Sequence, residues 1–366
     1  MHCHIERVDV QRTGEESMEA AARRLRYQSL AAQIRPEDVL LTAHHEDDQA
    51  ETVLLQLLRG AGVHGLAAMP AMQPFSAGLH ARPLLGFSRA ALRDYAQAEQ
   101  LVWIDDTSNA NEHMSRNFLR ARVLPLLQQR WPAAARTLAR AAGNSADAVA
   151  LLDEVGATDL VASVSPDGAR LLLPALRALA PARRRNLVRY WIRARGFHAP
   201  AAQHLDQILA LVDRPPESGQ ACIDWPEAEL HLYRDELAIR ERLPLPGSRL
   251  ELAWAPTQSL EIPGTGWRLR AAPGTGAGLS QAKLAGLRLT VRLRRGGETC
   301  QLAGHTHHRK LKKLLQEEGV PPWERGRLPL IYADGELAAI GDRWVCASFA
   351  AQPYEPSWQI VLDAID

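Results

Sequence analysis

One short segment of the 366-residue chain concentrates the side-chain types that do chemistry, and over residues 43–52 it reads AHHEDDQAET. His44, Asp48 and Glu51 are four and three residues apart, so a helix would place them on one face. One imidazole and two carboxylates converging on a cleft suit proton transfer, binding of an amine, or a magnesium ion beside a phosphate. The apolar residues of the opposite face, which we expect to pack on the core, are Val53, Leu54 and Leu57.

Two other interpretations of this segment stay open. Acidic side chains in the first turn of a helix favour its dipole and can simply be solvated. The other is a metal-dependent hydrolase, although consecutive residues point in different directions and only part of the set could bind one ion. Its ligands would be drawn from His44, His45, Asp47 and Asp48.

Two basic features could contact phosphate. Arg116 and Arg120 lie one helical turn apart, where they would either grip a phosphate or form a surface pair on an amphipathic helix. Residues 288–313 hold eight Lys and Arg against one acid, Glu298, which is dense enough for a nucleic-acid footprint. The three histidines inside that segment, His305, His307 and His308, are typical of a polar loop rather than a metal site.

No phosphate-binding loop can be found in the sequence, because neither GxxxxGK[ST] nor SGGxDS occurs. The glycine-rich run at 274–278 follows Pro273 in a turn-rich stretch with no helical pattern after it.

The elements that must position these residues follow an α/β order. The pattern predicts a strand over 5–10, a helix over 15–32 capped by Ser17, a short buried strand over 39–43 and a helix over 47–59. Residues 64–84 are predicted as loop, followed by helices over 88–100, 116–129 and 134–152. Alternating strands and helices indicate a parallel sheet, and ligands bind such a sheet at the carboxyl ends of its strands.

The rest of the chain predicts further domains. We expect a catalytic α/β domain over 1–135, a helical middle domain over 136–245, a linker or turn-rich region over 246–284 and a small α+β domain over 285–366. In the last region the pattern predicts strands over 287–293, 330–333 and 337–340 around a helix over 309–318.

Composition excludes several classes of protein. The net charge is +1, so only local clusters indicate nucleic acid. No apolar run is long enough for a membrane span, and four scattered cysteines without a CxxC pair disfavour a disulfide framework. The first ten residues alternate polar and apolar like a strand and do not follow the pattern of a secretory signal, so we expect a chain without a leader and a cytoplasmic protein.

Several motifs together resemble the tRNA(Ile)-lysidine synthetase family. They are LTAHHEDDQAET at 41–52, LRGAG at 58–62, RPLL at 82–85, WIDDTSN at 103–109 and RNFLR at 116–120. RRGGE at 294–298, KLKKLLQ at 310–316 and VPPWER at 320–325 resemble the family's C-terminal tRNA-binding domain.

The resemblance implies an ATP pyrophosphatase fold and a defined reaction. Family members use ATP and Mg²⁺ to adenylate carbon 2 of the wobble cytidine in tRNA(Ile) with a CAU anticodon, and free L-lysine then displaces AMP. It places functional residues at His44, Asp48, Glu51 and Arg116, with the two carboxylates holding the lysine ammonium. Arg59 and Gly60 become candidates for contact with ATP, and a homodimer is left open. The tRNA-binding residues would be Arg294, Arg295, Arg309, Lys310, Lys312 and Lys313.

The sequence departs from the family at its start, where the strand, the SGGxDS loop and the helix that precede residue 5 in the family are absent. We expect Met1 to be an internal methionine of a longer protein, with a truncated, non-catalytic tRNA-binding remnant as the alternative. The chain as given is expected to show no lysine- and tRNA-dependent exchange of pyrophosphate with ATP, because the backbone cradle for its phosphates is missing.

Overall fold

The computed structural model describes residues 4–10, 18–104, 114–242 and 250–365. They form two compact units, divided between Val161 and Ala162, which are described separately. None of the helices in the described part of the chain has both the length and the hydropathy needed to cross a bilayer.

The first unit is mainly helical. Its helices are α1 (Met18–Gln33), α2 (Glu46–Leu58), α3 (Val63–Leu66), α4 (Arg89–Ala98), α5 (Ser115–Phe118), α6 (Leu124–Arg130) and α7 (Ala134–Val161). A π-helical turn over Leu119–Val123 joins α5 to α6. The prediction of α4 is confirmed, including its cap, because the Ser88 hydroxyl accepts a hydrogen bond from the backbone N–H of Ala91 at 3.2 Å.

A three-stranded sheet lies beside these helices. Its strands are β1 (Val39–Leu41), β2 (Met72–Phe75) and β3 (Gly78–Ala81), in the order β1-β3-β2. β1 runs parallel to β3, with Leu41 opposite Ala81, and β2 and β3 form an antiparallel hairpin. Gly78 permits this pairing, since a Cβ atom there would overlap the backbone carbonyl of Asp38.

Three local predictions for this unit are wrong. Residues 64–84 are not a loop but contain α3 and the β2–β3 hairpin, whose strands are too short for a clear alternating pattern. β1 is not buried, because it pairs on one side only and leaves Leu41 64% exposed. Residues 5–10 form no strand. Ser17 and the segment 105–113 lie outside the described residues.

Helix α2 packs on α7 and α6 through small and branched apolar residues. Ala50, Leu124 and Ala135 form the buried centre of this contact, with Leu54 and Leu138 beside it. Val53 is also buried, as predicted, but Leu57 is 56% exposed, so the prediction that it packs on the core is wrong. The contact with α7 fixes the position of α2 and of the polar residues at its start.

The second unit begins with three helices and a sheet. The helices are α8 (Leu173–Ala178), α9 (Pro181–Ala194) and α10 (Ala202–Asp213). The strands are β4 (Leu171–Leu172), β5 (Gln220–Asp224), β6 (Ala228–Tyr233) and β7 (Glu236–Glu241), and they form one antiparallel sheet in the order β4-β7-β6-β5. The sequence analysis predicts a helical domain over 136–245 and does not predict this sheet. Helix α7 crosses the boundary that the sequence analysis places at residue 135.

The remainder of this unit is α+β. Its strands are β8 (Glu251–Ala253), β9 (Leu260–Ile262), β10 (Trp267–Thr275), β11 (Leu279–Ser280), β12 (Leu289–Leu293), β13 (Thr299–Cys300), β14 (Arg309–Lys310), β15 (Pro329–Ala333), β16 (Glu336–Ile340), β17 (Trp344–Val345) and β18 (Pro356–Ala364). Its helices are α11 (Gln281–Leu284), α12 (Leu311–Glu317) and α13 (Pro322–Arg325). The strands form sheets in the orders β11-β18-β10-β9 and β17-β16-β15-β12-β8, plus the pair β13-β14. The predicted strands at 287–293, 330–333 and 337–340 and the helix over 309–318 are confirmed to within a few residues.

Candidate active site

The start of α2 is fixed by one of the predicted site residues. His45 precedes the helix in an extended conformation, and its backbone N–H donates to Asp48 Oδ2 at 3.0 Å. An acid at the third helical position often closes a helix start in this way, because it satisfies a backbone donor that has no partner within the helix. The other carboxylate oxygen of Asp48 remains available to a different partner.

Two arginines from the α5 region bind the carboxylates of α2. Arg120 Nε and Nη2 donate to the two carboxylate oxygens of Glu51 at 2.6 and 3.0 Å. Arg120 Nη2 also donates to Asp48 Oδ1 at 3.0 Å. Arg116 Nε lies 3.4 Å from Glu51 Oε2, and its Nη2 donates to the Thr52 hydroxyl at 2.8 Å. We call Asp48, Glu51, Arg116 and Arg120 the carboxylate–arginine cluster.

Burial sets the electrostatics of this cluster. Glu51 is fully buried and Asp48 is 8% exposed. Burial raises the pKa of Glu51, while the hydrogen bonds and charge of Arg120 oppose that rise. Burial also works against the charge of Arg120, but its bonds to Glu51 and the nearby carboxylates raise the pKa of the guanidinium above its ordinary value. Each buried charge is therefore matched by an opposite one within hydrogen-bonding distance.

His44 lies just before α2, so it is not on the helix face where the sequence predicts it, and it is held from the sheet side. Its Nδ1 is 2.8 Å from the Thr42 hydroxyl, which is itself 2.9 Å from His80 Nε2. Burial lowers the pKa of His44 to about 4, helped by Arg82 and Arg116 and opposed by Asp48. His44 is therefore a neutral imidazole at neutral pH.

The structure brings most of the predicted site residues together. His44, Asp48, Glu51 and Arg116 meet around the start of α2, although Asp48 and Glu51 are buried in ion pairs instead of lining an open cleft. Arg59 and Gly60 lie just beyond the other end of α2, about 16 Å along the helix axis from Asp48 at 1.5 Å per residue.

Sequence reasoning missed the residues behind the site. Thr42, His80 and Arg82 support His44, and they come from β3 and the ends of β1 and β3. The RPLL motif that begins at Arg82 could have indicated a functional role for this residue, but β3, which positions it, was not predicted. Within the described residues, no group of three or more His, Cys, Asp and Glu side chains could hold a metal ion. The metal-hydrolase alternative therefore gains no support from the geometry.

In the second unit, acids inside and outside the basic segment neutralise much of its charge. Arg294 pairs with Glu298 and Arg295 with Glu251. Arg309 and Lys313 both pair with Glu317. Among the described residues, Lys310 and Lys312 have no acidic partner within ion-pair distance. The net charge of the segment therefore overstates how many cations are free to meet a phosphate.

Lys312 instead lines a cavity of about 460 Å³ with Arg234 and Arg325. The Arg234 side chain donates to the Gln316 carbonyl at 2.7 Å, and Arg325 donates to the Val320 carbonyl at 2.7 Å and to the Tyr233 hydroxyl at 3.1 Å. The residues of the described chain that line this cavity include no acid. We call Arg234, Lys312 and Arg325 the cationic cleft.

Comparison with known proteins gives the site a family. Residues 1–127 match the model of a PP-loop domain, 171–238 that of the TilS substrate binding domain and 289–362 that of the TilS substrate C-terminal domain.

Three similar relatives are each called tRNA(Ile)-lysidine synthase. The protein of Methylococcus capsulatus is 44% identical over 344 residues, which cover 92% of this chain and 77% of the relative. The protein of Alkalilimnicola ehrlichii is 43% identical over 358 residues, covering 96% and 78%. The protein of Coxiella burnetii is 38% identical over 355 residues, covering 97% and 78%. The chain therefore belongs to the tRNA(Ile)-lysidine synthase family, a family of ATP-using enzymes of tRNA modification.

Proposed function

We propose that the carboxylate–arginine cluster and His44 form the chemical centre of lysidine synthesis in this chain. The observation that carries the proposal is the meeting of two buried carboxylates, two arginines and a neutral imidazole at one helix start. In the proposed reaction, the oxygen on carbon 2 of the wobble cytidine of tRNA(Ile) with a CAU anticodon attacks the α-phosphorus of ATP, and pyrophosphate leaves. The unprotonated amine of L-lysine then attacks carbon 2, and the bond from carbon 2 to that oxygen breaks. AMP leaves with the oxygen and the bonding electrons, and the new nitrogen substituent loses a proton to solvent.

The carboxylates are proposed to hold the lysine ammonium. Asp48 is the better placed of the two, because its side chain is 12% exposed whereas that of Glu51 is fully buried. Arg120 already bridges the two acids, so an arriving ammonium would share Asp48 with that guanidinium. Glu51 would then act mainly by fixing Arg120, since a buried carboxylate with a bidentate partner has little freedom to move.

Arg116 and His44 are proposed to face the phosphate of the activated base. A guanidinium next to the reacting phosphate stabilises the negative charge that grows as AMP departs. The Arg116 side chain is 23% exposed, so it can reach a ligand while its Nη2 stays bonded to Thr52.

ATP is proposed as the substrate that activates the base, and Arg59 and Gly60 remain candidates for contact with it. Magnesium supplies charge neutralisation at the phosphates when it is bound to ATP. The carboxylates of the cluster are already paired with arginines, and the described residues contain no group of three or more ligating side chains. These residues therefore do not fit a protein-bound Mg²⁺ ion.

The tRNA is proposed to bind the second unit through Arg294, Arg295, Arg309, Lys310, Lys312 and Lys313. Lys310 and Lys312 should contribute most, since the other four already have acidic partners. The cationic cleft is a suitable place for a backbone phosphate, because three cations meet there without a lining acid. The proposal includes a cytoplasmic location and leaves a homodimer open.

The experiment that tests the proposal separates lysine binding from tRNA binding. Asp48→Asn keeps the shape of the side chain and removes its charge, so binding of labelled lysine in the presence of tRNA should weaken by about tenfold or more. When the chain is extended at its N-terminus by the family's SGGxDS segment, lysidine formation, measured by mass spectrometry of tRNA nucleosides, should fall with it. Asp94→Asn, at an exposed position on α4, is the matched control and should change neither quantity. Unchanged lysine binding in Asp48→Asn would refute the assignment of the carboxylates.

A further inference from the structure

Behind His44 lies a chain of hydrogen bonds that begins at a permanently charged group. Arg82 Nη1 donates to the Pro70 carbonyl at 2.8 Å, and Arg82 Nη2 lies 3.1 Å from His80 Nδ1. His80 Nε2 lies 2.9 Å from the Thr42 hydroxyl, which lies 2.8 Å from His44 Nδ1. His80 is fully buried and Arg82 is 5% exposed, so water does not compete for these contacts.

The donor and acceptor at each link follow from the arginine. A guanidinium has N–H groups only and cannot accept a hydrogen bond. His80 Nδ1 must therefore be the acceptor and carry no proton, which makes His80 a neutral imidazole with its proton on Nε2. That proton is donated to the Thr42 hydroxyl oxygen.

The Thr42 hydroxyl in turn fixes which nitrogen of His44 carries the proton. A hydroxyl has one proton to donate, and with its oxygen already accepting from His80, the acceptor within reach of that proton is His44 Nδ1. A proton on Nδ1 instead would leave the hydroxyl proton without this partner. The arrangement that uses every donor therefore leaves the proton of His44 on Nε2, the nitrogen that does not face Thr42.

We propose that Thr42 and His80 are positioning residues that hold His44 as the Nε2–H tautomer, so that His44 donates a hydrogen bond to substrate and does not serve as the base. The tautomer follows from the hydrogen bonds of this chain alone. The identity of its acceptor rests on the proposed function: a phosphate oxygen of the adenylated base, which gains negative charge as AMP leaves.

The charged groups around His44 support a neutral donor. Arg82, Arg116 and Arg23 lower the pKa of His44, whereas Asp48 raises it, and burial is the largest influence. Because Nδ1 is occupied by a hydroxyl proton, protonating His44 would also require that hydroxyl to turn away. A neutral imidazole that is already oriented can stabilise an oxyanion without first giving up a proton.

Nuclear magnetic resonance of protein with ¹⁵N-labelled histidine tests the tautomer directly. Two-bond ¹H–¹⁵N correlations distinguish Nε2–H from Nδ1–H imidazoles, and the His44 signals are identified by their loss in His44→Asn. Near neutral pH, we expect the Nε2–H pattern for both His44 and His80. A Nδ1–H pattern for His44 in the unaltered protein would overturn the proposal, and this measurement needs neither substrate nor activity.

Two variants at position 42 test the positioning role. Thr42→Val replaces the hydroxyl by a methyl group of similar size and should give a mixture of His44 tautomers, whereas Thr42→Ser keeps the hydroxyl and should keep the single form. In the chain extended at its N-terminus by the family's SGGxDS segment, and with tRNA, ATP and lysine, Thr42→Val should lower kcat for AMP release about tenfold with little change in the KM for lysine. Thr42→Ser should keep the kcat of the unaltered sequence.

The positioning role and the phosphate contact can be refuted by different results. An unchanged tautomer in Thr42→Val would overturn the positioning role. A changed tautomer with an unchanged kcat would refute the phosphate contact in the proposed function.

Discussion

Two arginine-containing regions of the molecule differ in how their charges are paired. In the carboxylate–arginine cluster, Arg120 is held by two acids that are themselves almost fully buried. In the cationic cleft, Arg234 and Arg325 donate only to neutral oxygens in the contacts described, and Lys312 is exposed. The first region is neutralised from within, whereas the second presents its charge to solvent.

The difference follows from the cost of burying a charge. An unpaired ion in a protein interior costs several kcal/mol, so Glu51 and Arg120 stabilise the fold only as a pair. Cations that line a cavity open to solvent keep much of their hydration and need no acid. The cationic cleft can therefore bind an anionic ligand without breaking an ion pair. The carboxylate–arginine cluster must break an existing ion pair before it binds a charged ligand.

The largest expected effect comes from breaking the pair in the first region. Arg120→Met keeps most of the aliphatic chain but leaves Glu51 buried with only Arg116 at 3.4 Å. Opening of α2, measured by hydrogen exchange and mass spectrometry of peptides from this helix, should become easier by about 3 kcal/mol. Combining it with Glu51→Leu should recover much of that loss, because no unpaired charge then remains. A loss below about 1 kcal/mol in the single variant would contradict the importance of pairing.

Protonation of His44 should have an intermediate effect on the free energy of unfolding. The pKa of His44 is about 4 in the folded protein, whereas the ordinary value of 6.5 applies to the unfolded chain. As pH falls, the unfolded chain therefore binds the proton first. The free energy of unfolding should therefore fall as pH drops from about 6.5 to 4 and lose no more through this group below that range. The full shift corresponds to about 3 kcal/mol at 1.4 kcal/mol per pKa unit, and partial solvation reduces it to about 2 kcal/mol.

The measurement compares urea unfolding of the unaltered protein and His44→Asn at several pH values. His80 also has a lowered pKa and acts in the same direction, so only the difference between the two proteins reports on His44. Parallel stability curves for both would exclude His44 as the source of the pH dependence.

Helical periodicity was enough to predict α2 and α4 and to place Asp48 and Glu51 near the start of one helix. His44, expected on the same helix face, lies before α2 and is held there by Thr42 at the end of β1. It could not predict that Arg120 takes both acids, because that contact spans about seventy residues of sequence and depends on how α2 meets α5. The short strands β2 and β3 were missed for a similar reason, since four residues carry too little pattern to identify a strand. His80 was missed with them, although it forms the centre of the hydrogen-bond chain behind His44.

The smallest expected effect on stability comes from the second region and is also the most specific. Lys312→Met removes a cation that no acid among the described residues holds, so the free energy of unfolding should change by less than about 0.5 kcal/mol. Binding of tRNA should nevertheless weaken, and the slope of log affinity against log salt should become shallower by about one. Lys313→Met is the matched control, because Lys313 lies next to it but already pairs with Glu317 at 3.9 Å. If the two variants reduce the salt slope equally, a free cation in the cleft is no better a phosphate ligand than a paired one at the surface, and the contrast between the two regions would not extend to tRNA binding.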